Sequence, residues 1–187
     1  MKKIFLSALI FSILLTSCKK EQDPFLIGKH NIGLLTDSTQ VKDIATVFSK
    51  DSIVTNSSAG MFISSVNTDI EIYEKGGKKL LILSPATPND STSYIRSVRI
   101  IDPRYKTKEN ITISSTFKEI SNNYEISKID NMLGAIIVYV KDINAMLTID
   151  KKELPANMRF DTNLKIEAIQ IPDKTKTKYF FLNWNKT

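Results

Sequence analysis

Few side chains in this chain of 187 residues can start chemistry: there is one cysteine, Cys18, and one histidine, His30. A lone thiol has no intramolecular disulfide partner, so Cys18 does not staple the fold. His30 has no Cys or His at metal-ligand spacing and reads as a surface or strand residue, and no strand, Gly-rich loop and helix line up as a phosphate cradle. No metal or other cofactor is expected. Asp102 and Asp173 each adjoin a proline, Pro103 and Pro172; that is turn chemistry, although two facing carboxylates are also what acid–base catalysis uses. Ser115 stands just before an apolar helical face and reads as a cap, not a nucleophile. The strongest remaining pattern is cationic. Arg104-Tyr105-Lys106-Thr107-Lys108 and Lys174-Thr175-Lys176-Thr177-Lys178 each alternate three basic residues with uncharged ones. On an extended chain, positions i, i+2 and i+4 share a face, so each stretch lines up three cations. Such a row suits an anionic polymer or an acidic protein surface, and lysine at a strand edge also discourages edge-to-edge pairing.

Cys18 gains meaning from what precedes it. Lys2 and Lys3 form a positive start, Ile4 to Leu15 (IFLSALIFSILL) is an apolar run, and small residues Thr16 and Ser17 follow. A membrane-spanning helix needs about 20 apolar residues, so this shorter run reads as an export signal that is removed. Leu15 to Cys18 resembles the lipobox of bacterial lipoproteins, in which the cysteine sulfur is alkylated by a diacylglyceryl group and becomes the first residue. The resemblance implies a protein anchored to a membrane without crossing it, since two or more acyl chains give stable anchoring at about 0.8 kcal/mol per buried methylene. Lys19 stands where inner-membrane lipoproteins of enteric bacteria carry Asp, which implies the outer membrane. Lys20-Glu21-Gln22-Asp23 resembles the Lys-plus-acidic surface-export signal of Bacteroidota lipoproteins, with Gln22 in place of a second acid. The periplasmic and the cell-surface face both remain open.

Loss of residues 1–17 removes Lys2 and Lys3 and leaves 24 basic against 20 acidic side chains, a net charge of +4. That mild excess is compatible with anionic partners and does not indicate nucleic acid. With 42% hydrophobic and 25% charged residues the chain can bury a core.

The order of elements suggests a tandem repeat. KHNIGL (Lys29 to Leu34) lies on KENITI (Lys108 to Ile113), and Val41-Lys42-Asp43-Ile44 lies on Phe117-Lys118-Glu119-Ile120. IEIYEKGGKKLLIL (Ile70 to Leu83) lies without a gap on IIVYVKDINAMLTI (Ile136 to Ile149), and IRSVRIID (Ile95 to Asp102) lies on IEAIQIPD (Ile166 to Asp173). The division is then a signal over 1–17, a lipidated tether over 18–25, and α+β repeats over 26–103 and 104–187.

Within each repeat, period and punctuation give the elements. Asp37 to Gln40 offers a cap, and Val41, Ile44, Ala45 and Phe48 share a helical face; Phe117, Ile120 and Tyr124 repeat it. Ile70 to Leu83 reads as a hairpin turning at Lys75-Gly76-Gly77-Lys78, and its counterpart turns at Lys141-Asp142-Ile143-Asn144. Short strands are expected near Ile53 and Ile126, longer ones at Ile95–Ile101 and Ile166–Ile171. Tyr179-Phe180-Phe181-Leu182 should close a sheet, with Trp184 in the core. The expected class is therefore α+β: a tandem pseudo-repeat of strand, helix, hairpin and strand, forming largely antiparallel sheet with two short helices. The repeat loosely resembles duplicated periplasmic inhibitor and assembly-lipoprotein domains, without a motif that ties it to them. Asp37-Ser38-Thr39, Asp51-Ser52-Ile53 and Asp90-Ser91-Thr92 resemble the O-glycosylation sites of exported Bacteroidota proteins; capping and turns explain the same pairs.

Together these features lead to an expectation of a lipid-anchored envelope lipoprotein that binds rather than catalyses. The alternative is an envelope hydrolase working through carboxylates.

Overall fold

Alternating apolar residues build most of the structure, a computed structural model that describes residues 22–59 and 66–184. Three two-residue strands open it, β1 (Leu26–Ile27), β2 (Asn31–Ile32) and β3 (Leu35–Thr36), followed by the short helix α1 (Ile44–Val47). A meander follows, made of β4 (Ser52–Ala59), β5 (Val66–Tyr73), β6 (Lys79–Pro85) and β7 (Ile95–Ile100). The second half runs β8 (Lys106–Thr107), helix α2 (Phe117–Asn123), then β9 (Lys128–Asn131), β10 (Ala135–Val140), β11 (Ala145–Asp150) and β12 (Tyr179–Asn183). One sheet runs β4-β5-β6-β7-β12-β11-β10-β9 with every neighbouring pair antiparallel. A smaller sheet runs β3-β2-β1-β8, in which β1 and β8 are parallel.

The large sheet buries one face. Ile70 and Ile72 of β5, Leu81 and Leu83 of β6, Val98 and Ile100 of β7, and Phe180 and Leu182 of β12 are all buried, as are Leu147 and Ile149 of β11 and Ile136 and Val138 of β10. Their neighbours in sequence point to the other side, the period-2 rule of a half-buried antiparallel sheet. Ile44 and Phe48 at the first helix, and Phe117 and Ile120 of α2, belong to the same apolar cluster as these strands. Each such side chain contributes about 1.5–3 kcal/mol when withdrawn from water.

Both expected hairpins form with the expected turns. Gly76 and Gly77 take φ of 116° and 91°, and Asn144 takes 52°, so each turn uses residues that tolerate positive φ. The α2 helix starts on a capping box: Thr116 Oγ1 accepts from the Glu119 N–H while the Glu119 carboxylate accepts from the Thr116 N–H. The cap is thus Thr116, and Ser115 instead takes the Thr112 N–H in the preceding turn. In the first half no side chain caps the helix: Gln40 starts a 3-10 turn over Val41–Asp43 and Asp43 stands before α1, neither with a capping side-chain bond, and Thr39 Oγ1 accepts from the Thr36 N–H.

One expected strand is absent. Residues 166–171 hold a 3-10 turn over Ala168–Gln170, with Ile169 91% exposed. The place beside β7 is taken by β12, which joins the two meanders through Phe180↔Ile100 and Leu182↔Val98. The division at 103/104 falls between β7 and β8, yet one sheet spans both halves.

Candidate functional site

Each basic stretch is extended only in its middle, around a buried threonine: β8 spans Lys106–Thr107 and Lys176 bridges Thr116, while Arg104, Lys108 and Lys174 lie in turns and Lys178 at a bend, so neither stretch forms the expected row of three cations along one strand face. In the first, Thr107 is 1% exposed and lies between exposed Lys106 and Lys108; in the second, Thr175 is 3% exposed between exposed Lys174 and Lys176. The segment Ile111 to Ile113 links them, because the Thr107 N–H donates to the Ile111 carbonyl (2.9 Å) and Thr177 Oγ1 donates to the Ile113 carbonyl (2.7 Å). The start of α2 fixes the second stretch, with the Phe117 N–H on the Thr175 carbonyl (2.7 Å) and the Lys118 N–H on the Asp173 carbonyl (3.1 Å).

Not all six cations are available. Arg104 is a clamp: its N–H, Nε and Nη2 donate to the Asp102 carboxylate at 2.8, 3.1 and 2.8 Å, its Nη1 donates to Glu74 at 2.8 Å, and its guanidinium stacks over Phe25 at 4.7 Å. Lys178 pairs with Asp150 at 3.0 Å and lies over the Tyr179 ring. Lys106, Lys108, Lys174 and Lys176 take part in none of the ion pairs among the described residues. The acids that claim the other two are Asp102, two residues before Arg104, Glu74 from the β5–β6 turn, and Asp150 at the end of β11. No acid interrupts either row in sequence, but Glu119, the first-turn acid of α2, is close enough to feel Lys176.

The two aspartates expected at matching turns part ways. Asp102 is 1% exposed and receives Lys78 Nζ at 2.9 Å in addition to Arg104. Burial alone would push its carboxyl up, but the Arg104 and Lys78 hydrogen bonds outweigh it and hold the group well below the usual carboxylate range. Asp173 is exposed and pairs with Lys118 at 2.7 Å. They do not form a facing catalytic pair. His30 is exposed and bonds Asp37 at 2.7 Å. Trp184 is buried and donates its Nε1 to the Lys29 carbonyl at 3.1 Å. Cys18 lies outside the described residues.

A cleft missed in the sequence opens where the tether meets the fold. It has a volume of about 420 Å³, a floor of Phe25, Ile32, Phe48 and Tyr105, and a rim carrying Lys50, Asp51 and Glu74. Gly33 lets the tether pass: its φ is 55°, and a Cβ there would stand 2.2 Å from the Pro24 carbonyl oxygen. Burial, then the neighbouring charges of Asp51 and Asp102, push the Tyr105 hydroxyl above its ordinary value. Asp51 is raised by burial and by the charge of Glu74, whereas Glu74 is lowered by its hydrogen bond from Arg104. No periodicity could reveal this cleft, since its walls come from the tether, the end of the first helix, the β5–β6 hairpin and Tyr105. No group of three or more His, Cys, Asp or Glu suited to a metal occurs among the described residues.

No family model matches the chain, and no curated protein matches it either. Among solved structures it is similar to the crystal structure of the uncharacterized protein yfeY from Escherichia coli, at 13% identity and a TM-score of 0.52 over 84% of this chain and 98% of that one. At that identity the likeness concerns the fold alone: mostly antiparallel sheet with two short helices.

Proposed function

We propose that this chain is a lipid-anchored envelope lipoprotein, held on the outer membrane through Cys18, that acts as a non-enzymatic binding module for an anionic envelope polymer or an acidic protein surface. The observation that carries the binding reading is the pair of Lys-Thr-Lys stretches, in which buried Thr107 and Thr175 are flanked by exposed Lys106, Lys108, Lys174 and Lys176, none of which forms an ion pair among the described residues, although Glu109 and Glu119 stand near enough to feel Lys108 and Lys176. Cations spared from ion pairing keep their field for a partner, screened beyond about 8 Å at physiological salt. Replacing these four lysines with Gln should weaken retention on anionic glycan or lipopolysaccharide at low salt and leave thermal stability nearly unchanged. Equal retention by the variant, or none by the wild type, would reduce the lysines to edge protection. Lipidation is tested separately: Cys18→Ala should release the protein from membranes or leave its signal attached, and an unmodified cysteine in the intact mass of membrane-extracted protein would refute it.

The same reading holds that the two halves are a tandem duplication. Supporting it, the hairpin alignment pairs Ile70↔Leu83 across one ladder where it pairs Ile136↔Ile149 across the other. The Val41 N–H reaches the Ser93 carbonyl (2.9 Å) as the Phe117 N–H reaches that of Thr175, and isolated bridges Gln40↔Tyr94 and Thr116↔Lys176 sit at the same place in each half. The last aligned block then becomes β7 with β12.

A second reading keeps the carboxylate hydrolase. Asp51 raised and Glu74 lowered on one cleft rim is the division that acid–base pairs need. Turnover of envelope glycans or peptides that Asp51→Asn abolishes would favour it over the binding reading.

A further inference from the structure

The large sheet ends on two edges that are treated very differently. At one end β9 has four residues, pairs Lys128 with Asp130 at 2.8 Å, and is tied to the 161–164 segment by Asn131 Nδ2, which donates to the Asp161 and Leu164 carbonyls at 2.9 and 2.8 Å. A short strand and charged side chains are means by which proteins blunt an edge. At the other end β4 has eight residues paired with β5 in one unbroken register from Ser52↔Tyr73 to Ala59↔Val66. Its sequence, SIVTNSSA, holds no charge, no proline and no glycine. Ile53 and Val54 are 36% and 44% exposed, and among the described residues no strand pairs with its outer side.

We propose that β4 is a homodimer edge, pairing antiparallel with β4 of a second copy about a two-fold axis to give one continuous sheet. In an antiparallel strand every second residue turns both its N–H and C=O away from its existing partner, so β4 presents a regular set of donors and acceptors that no strand among the described residues meets. A two-fold contact requires a patch complementary to itself. An uncharged strand meets that condition, because like charges placed directly opposite would oppose pairing. The molecule already contains one such joint: β7 and β12 fuse two four-stranded meanders edge to edge.

The test uses the full-length protein in its membrane. Single cysteines introduced along the strand, Ser52→Cys through Ala59→Cys, are oxidised and compared with Asn122→Cys on the exposed surface of α2 and with the unsubstituted chain. The expected result is a covalent species of twice the monomer mass at one or two β4 positions and at neither control. Dimers at the control as well would report a free Cys18 thiol or random collision and overturn the assignment, as would adducts with other proteins only, or none. A second arm replaces Ser52 and Val54, which lie on one face, with Lys. In detergent solution the wild-type protein should have twice the molar mass of Ser52→Lys/Val54→Lys, with the two unfolding alike below their association limit. A wild type that is itself monomeric overturns the proposal.

Discussion

Substitution of Asp102 by Asn leaves the shape of the clamp intact and takes away its charge. The wild-type carboxylate is fully shielded and takes four charge-assisted contacts, three from Arg104 and one from Lys78, between 2.8 and 3.1 Å. Removing one member of a buried ion pair costs about 3–5 kcal/mol. Arg104 and Lys78 keep 39% and 56% of their side-chain exposure, so water solvates them once the acid is gone. That brings the loss to the bottom of that range or below it, about 2–3 kcal/mol, or a fall in melting temperature of about 4–12 °C for a chain of this size. The pH dependence follows from the depressed carboxyl. Because its folded value lies below its unfolded value of about 3.9, its stabilisation is complete above about pH 4 and is lost as pH falls toward the folded value. Melting curves followed by circular dichroism should show a constant gap between wild type and Asp102→Asn from neutral pH down to about pH 5, closing below about pH 4. A gap under about 1 °C at neutral pH, or one that persists undiminished in acid, would refute the clamp as a source of stability.

Three further outcomes are expected. Trp184→Ala removes a buried ring and its bond to the Lys29 carbonyl; chemical denaturation should show a loss of about 3–5 kcal/mol, and a loss below about 1 kcal/mol would place the ring outside the core. Thr116→Ala removes the cap of α2 and should cost about 1 kcal/mol, while Thr39→Ala should not shorten the first helix, which no side chain caps; hydrogen exchange at the first turns reads both. Lys151 is 4% exposed with its Nζ lacking a hydrogen-bond partner. Lys151→Met keeps the aliphatic stem and should raise stability by about 1–2 kcal/mol; a destabilised variant would show that the amine is solvated or bonded in solution.

What the sequence disclosed depended on how local the physics was. The hairpin around Gly76 and Gly77 and its counterpart at Asn144 were readable because turn residues and alternating apolar positions lie within one short window. The error at Ile166–Ile171 is instructive. Ile166, Ile169 and Ile171 have the spacing of Ile95, Val98 and Ile100, and neither set keeps a period of two. In β7 a register shift between Ser84 and Pro85 of the neighbouring strand absorbs the irregularity, so all three residues are buried. No neighbour does this for 166–171, and Ile169 points to water. In the basic stretches the Lys-Thr alternation was legible. The capture of Arg104 by Glu74, 30 residues away, and of Lys178 by Asp150, 28 residues away, was not. The cleft was hidden for the same reason.

The position of β12 governs the timing of assembly. Of the strands in this sheet β12 is synthesised last, yet it lies at the centre, flanked by β7 and β11. A chain delivered N-terminus first therefore holds two half-sheets, each with an unmet inner edge, until residues 179–183 arrive. Non-local pairing of this kind slows folding and leaves transient strands open to aggregation. A break anywhere before Tyr179 removes the seam between the halves and leaves the inner edges of β7 and β11 unpaired.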